Sequence, residues 1–110
     1  MAPWQQGNTV VTEVTDDSIL QAKAVIDGAG IGCEPASAAS LAGARRLVTE
    51  GVIGRDERVL CILTGHLLKD TDTTIAYHLD EVEEARPYAN RPVVVGGDID
   101  DVRRAVERFL

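Results

Sequence analysis

The sequence predicts an α/β protein: an open, mostly parallel sheet flanked by helices. Two observations carry that expectation. Short aliphatic and β-branched runs alternate with stretches whose apolar residues recur at helical spacing. The run Val59 to Leu63 is apolar at five consecutive positions, the pattern of a strand covered on both faces rather than one with a wet side.

The first element is "TVVTEV" (9 to 14), which has the β-branched content of a short strand. Thr15 is placed to cap a helix whose first turn holds Asp16 and Asp17, where the helix dipole favours negative charge. Ile19, Ala22 and Ile26, joined by Leu20 and Ala24, form its apolar stripe, and Gly28 or Gly30 stops it. A brief extended piece, "GIGC" (30 to 33), leads into a second helical stretch, 34 to 51, with Pro35 at its start and Gly51 beyond its last periodic residues, Leu47 and Val48. The strand Arg58 to Leu63 comes next. "TIAYHLDEVEEA" (74 to 85) is compatible with a helix, and Pro87, Asn90 and Pro92 interrupt any regular element beyond it. "PVVV" (92 to 95) reads as another short buried strand. After Gly96-Gly97, Asp98 is placed to cap a last helix with Ile99, Val102, Ala105, Val106 and Phe109 on one face.

A chain of 110 residues fits one domain, 1 to 110, able to bury roughly two thirds of the surface its unfolded form exposes. Yet only four or so short strands are present, and an open parallel sheet of that size leaves an edge that tends to pair with another chain. The formal net charge is −7, with no basic cluster beyond Arg45-Arg46 and Arg103-Arg104, so nucleic acid and anionic membranes are poor partners. No apolar run approaches the ~20 residues of a membrane span, and "MAPWQQGNTV" lacks the regions of a signal peptide. Cys33 and Cys61 sit in apolar runs without metal-ligand spacing, as reduced thiols do, and the expected compartment is the cytoplasm.

"GAGIGCEP" (28 to 35) contains spaced glycines, but a helix precedes them and Pro35 closes them, the reverse of a dinucleotide-binding turn. "EPASAASLAGA" (34 to 44) is rich in small residues. They either let a helix lie close on its neighbours or put a helix start, with Glu34 and Ser37, against a ligand. Thr64 follows the apolar run 59 to 63, and in open α/β sheets ligands bind beyond the carboxyl ends of strands. His66 and His78 lack a third metal ligand, and no nucleophile elbow is present.

Taken together, "VTDDSILQAKAVIDGAGIGCEPASAASLAG" and "GVIGRDERVLCILTGHLLKDTD" resemble threonine synthase, a pyridoxal-phosphate enzyme of the tryptophan synthase β-like fold. Leu67 stands where that family often has glycine. The resemblance implies that the chain corresponds to the C-terminal third of the enzyme and to part of its large domain. It implies that the Thr64 hydroxyl bonds the pyridine nitrogen of pyridoxal 5'-phosphate, with Glu34 and Ser37 near the cofactor cleft. A hydroxyl there can donate to a neutral ring nitrogen, whereas an aspartate would hold the ring protonated and make a stronger electron sink.

The parent reaction so implied converts O-phosphohomoserine and water to threonine and phosphate. The lysine to which the family links its cofactor, in a segment resembling "SFKDR", has no match, and neither does its phosphate-binding loop. The chain's two lysines, Lys23 and Lys69, lie in other contexts. Alone, the chain is therefore expected to be inactive, with the remainder of the enzyme or another copy of itself as partner in a homo-oligomer. Two alternatives stay open: a fragment of a related threonine or serine dehydratase, or a stand-alone self-associating binding module. Dehydratase-like relatives more often carry Ser or Cys at the position of Thr64.

Overall fold

The computed structural model describes residues 4–7, 9–79 and 86–110. In chain order these form β1 (Trp4–Gln6), β2 (Thr9–Val11), α1 (Asp16–Gly28), α2 (Ala39–Thr49), α3 (Thr71–Leu79) and α4 (Ile99–Glu107). Short 3-10 turns precede α2 (Pro35–Ala38) and α3 (Leu67–Asp70).

Local chemistry explains the helices. Thr15 caps α1, its Oγ1 accepting the Ser18 N–H at 3.2 Å, a contact that contributes about 1 kcal/mol. Asp98 does the same for α4, accepting the Asp100 N–H at 2.9 Å. The second predicted helix is divided. Pro35 fixes the first residues in a 3-10 turn, and α2 proper begins only at Ala39. α3 starts at Thr71, ahead of the expected 74, because the Asp70 carboxylate accepts the Thr73 N–H at 3.2 Å and the Thr73 hydroxyl at 3.0 Å. The rest of that predicted helix, 80 to 85, lies outside the described residues.

The packed part of the molecule is where α1 meets the 3-10 turn and α2. Its centre is Ala22, Ile26, Cys33, Ala38 and Ala42, with Val14, Ile19, Leu41 and Leu63 against it. Four of those nine are alanine or cysteine-sized at the very centre, so the backbones approach closely and little apolar area is needed to exclude water. Lys23 is buried in the same place. Its ammonium bonds the Asp27 carboxylate at 2.8 Å and the Cys33 carbonyl at 2.7 Å, which anchors the loop after α1 to the helix. Both cysteines are free thiols, and burial pushes the Cys33 thiol up from its usual value.

The parallel sheet is not found among the described residues. The one sheet is a two-stranded antiparallel ribbon in which Trp4 pairs with Val11 and Gln6 with Thr9. The predicted strand 9 to 14 is ordered as strand only to Val11. Segments 58–63 and 92–95 run without ladder partners. Most of their side chains face solvent, with Leu60 90% exposed and Val94 87% exposed, whereas Leu63 packs against the core. The physical reason is that a parallel strand is held by a neighbour on each side and a helix on each face, and among the described residues no strand pairs with either segment. The apolar face of α4 is likewise open at Ile99, Val102, Val106 and Phe109.

Size measures the same shortfall. The radius of gyration is 17.1 Å, against about 13 Å for a compact domain of this length. The accessible surface is 8376 Å², against about 5900 Å² for a compact monomer of this mass. Among the described residues no helix is long and apolar enough to cross a membrane.

Candidate functional site

Thr64 ends the exposed apolar segment, and its side chain stands at the surface rather than packed inward. Directly behind it is Ser37, which is buried at 6% exposure in the 3-10 turn before α2. Ser37 Oγ accepts the Thr64 backbone N–H at 2.9 Å. It donates to the Thr64 carbonyl oxygen and lies 3.1 Å from Thr64 Oγ1. The Ser40 hydroxyl in turn donates to the Ser37 carbonyl at 2.8 Å, tying the turn to the first coil of α2. One small side chain therefore holds the whole of residue 64.

Glu34 stands beside this pair. Its backbone N–H reaches the Gly65 carbonyl at 3.4 Å, and its carboxylate bonds the Lys69 ammonium at 2.8 Å. The hydrogen bond and charge of Glu34 raise the Lys69 pKa above its usual value. Gly65 suits its place for a backbone reason first. Its φ of 67° lies in the left-handed region, and a Cβ there would collide with the Glu34 side chain. Leu67 has a comparable role across the loop, because its Cβ lies 3.1 Å from where a Cβ on Gly32 would stand. Leu67 thus fills space over the Gly32 backbone.

The three residues singled out from the sequence, Glu34, Ser37 and Thr64, are brought together although they come from two stretches 27 residues apart. Chemically they make a hydrogen-bonding edge. A neutral hydroxyl is outermost, a second hydroxyl sits behind it, and a carboxylate alongside is already neutralised by an ammonium. Sequence reasoning did not anticipate that Lys69 pairs with Glu34. The turn itself was signalled by a glycine two residues beyond the apolar run.

The histidines serve the backbone instead. His66 Nδ1 accepts the Leu68 N–H at 3.1 Å and caps the 3-10 turn. His78 Nδ1 accepts the Asn90 N–H at 2.9 Å; burial lowers its pKa from the ordinary 6.5, with the nearby Asp27 and Lys23 charges acting in opposite directions. Neither lysine is a free amine, since Lys23 is held by Asp27 and Lys69 by Glu34. A cleft of about 240 Å³ opens between α1 and α2, lined by Thr15, Ser18, Arg45, Arg46 and Thr49 among others. It lies apart from the Thr64 turn, and Arg46 within it is bound to Glu50 and to the Glu13 carbonyl.

No family model matches the chain. Curated proteins do, and they are enzymes: over most of its length the chain is homologous to a segment of a biosynthetic enzyme. That enzyme is threonine synthase. The chain is 54% identical over 94 residues to threonine synthase of Methanosarcina acetivorans, a match covering 84% of the chain and 20% of the relative. It is 54% identical over 63 residues to threonine synthase of Methanocaldococcus jannaschii, covering 56% of the chain and 16% of the relative. It is 31% identical over 107 residues to threonine synthase 2, chloroplastic, of Arabidopsis thaliana, covering 96% of the chain and 21% of the relative. The chain thus spans about one fifth of the length of the curated relatives it matches.

Proposed function

We propose that this chain is the C-terminal portion of a pyridoxal-phosphate-dependent threonine synthase, which converts O-phosphohomoserine and water to threonine and phosphate, and that it contributes the edge facing the cofactor's ring nitrogen. In this reading segments 58–63 and 92–95 are interior strands of the large domain's parallel sheet, completed by the remainder of the enzyme. The observation that carries it is Thr64, an exposed residue at the end of an apolar segment, held by Ser37 within a match to threonine synthases.

The donor set fits the ring end of the cofactor. Thr64 is uncharged, and the Glu34 carboxylate is engaged by Lys69, so neither residue offers the ring a free anion to hold it protonated. When bound, the cofactor supplies the electron sink. The chain's part is to orient the ring through Thr64, with Ser37 and Glu34 shaping the edge. Covalent attachment and phosphate binding fall to residues outside this chain, and both lysines here are committed to ion pairs. The chain alone should therefore release no phosphate from O-phosphohomoserine. The open strand edges and α4 face call for the remainder of the enzyme as partner, in a homo-oligomer of the cytoplasm.

The test is a chimera in which this chain replaces the matching segment of the Methanosarcina acetivorans enzyme. It should release phosphate from O-phosphohomoserine, and Thr64→Ala should lower its turnover by about tenfold, the worth of one hydrogen bond. A folded, cofactor-loaded chimera whose turnover ignores Thr64→Ala would refute the assignment of Thr64.

A further inference from the structure

Ser37 Oγ has one proton and two lone pairs, and Thr64 occupies all of them. The proton goes to the Thr64 carbonyl, an acceptor only. One lone pair takes the Thr64 N–H, a donor only. What remains for the contact at 3.1 Å is the second lone pair, so the Thr64 hydroxyl must be the donor in that pair. We propose that Ser37 is a positioning residue that holds the Thr64 hydroxyl proton inward, so that Thr64 presents lone pairs to whatever lies beyond the segment end.

This deepens the reading above and rests on it only for the identity of the outer group. A protonated ring nitrogen would be received with no rearrangement. An unprotonated one requires Thr64 to turn its proton away from Ser37 and give up that bond. Ser37 thus decides which hydrogen-bonding role Thr64 plays first, without a bonding position left to touch a ligand itself. Burial of Ser37 and the bond from Ser40 to its carbonyl keep it in place.

The experiment uses the 110-residue chain with no cofactor, so its result is independent of whether Thr64 meets pyridoxal phosphate. Amide hydrogen exchange at position 64 should accelerate about tenfold in Ser37→Ala, through loss of one hydrogen bond. Ser37→Thr, which retains the hydroxyl, should restore protection. Thr64→Val should leave that amide within about twofold of the parent chain, because its partner, Ser37 Oγ, is unchanged.

A slowly exchanging Thr64 hydroxyl resonance, present in the parent chain and lost in Ser37→Ala, reports the inward proton directly. The α1 amides serve as the control for general unfolding. If Ser37→Ala loosens those too, the Thr64→Val amide and the hydroxyl resonance decide. Unchanged exchange in Ser37→Ala over intact α1 amides would overturn the proposal. So would equal deprotection in Thr64→Val, or absence of the hydroxyl resonance in the parent chain.

Discussion

The two parts of this molecule are made from similar residues and end in opposite conditions. In the part built on α1, the 3-10 turn and α2, alanines do the packing, and Ala22 and Ala38 have no exposed surface at all. In the other part, segments 58–63 and 92–95 and helix α4 carry larger aliphatic side chains with a greater drive to leave water. Apart from Leu63, which reaches the core, they keep most of that surface wet, and Phe109 is 75% exposed. Hydrophobicity is therefore not what separates the two. What separates them is whether the chain contains the neighbour. A helix pair joined by one turn brings its own partner. A parallel strand would depend on strands and helices distant in sequence, and among the described residues no strand pairs with either segment.

The contrast can be broken first at the buried ion pair. Asp27→Ala leaves the Lys23 ammonium, with its side chain 3% exposed, without a counter-charge, and should destabilise the chain by about 3–5 kcal/mol in urea unfolding. A loss below about 1 kcal/mol would mean that the packed part is looser than its geometry. Next comes Ala38→Leu, which forces three extra carbons into a fully buried site and should cost about 1–3 kcal/mol by the same measurement.

The third prediction concerns pH. The folded-state pKa of His78 lies below its ordinary 6.5 because burial disfavours the charged ring. Its contribution to stability is thus complete above pH 6.5 and is lost as pH falls from there through the lowered value. Protonation also removes the acceptor for the Asn90 N–H. Urea midpoints measured from pH 7.5 to 5 should fall more steeply in the parent chain than in His78→Gln. Equal slopes would show that His78 does not contribute.

The smallest effect sharpens the comparison most. Leu60→Ser, at a side chain 90% exposed, should change stability of the chain alone by less than about 0.5 kcal/mol. In the chimera the same substitution should destabilise by about 2 kcal/mol or more, as at a buried core position. A large loss in the isolated chain would show that segment 58–63 is already packed.

Much of the local structure was legible because its causes are local. The Thr15 and Asp98 caps, the stripe of α1 and the apolar face of α4 each depend on residues within a turn or two of one another. The nearness of Glu34, Ser37 and Thr64 was reached by another route, from the order of motifs shared with threonine synthase. Their individual bonds were not legible: Ser37 behind Thr64, Glu34 turned to Lys69, and Lys23 reaching the Cys33 carbonyl. These are long-range contacts whose partners carry no spacing signal. Lys23 in particular sits in an apolar stretch of sequence, where only the Asp27 one turn later hinted at an ion pair.

The sequence by itself determined where α1 and α4 begin, the apolar face each carries, and that residues 59 to 63 are an unbroken apolar run, because propensity, capping and hydropathy act over a few residues. Only the tertiary structure decided which of those apolar segments are covered and how the Thr64 hydroxyl is held. Burial and hydrogen-bond direction belong to pairs of surfaces and pairs of atoms, and a pair is settled only when the chain has brought both members to one place.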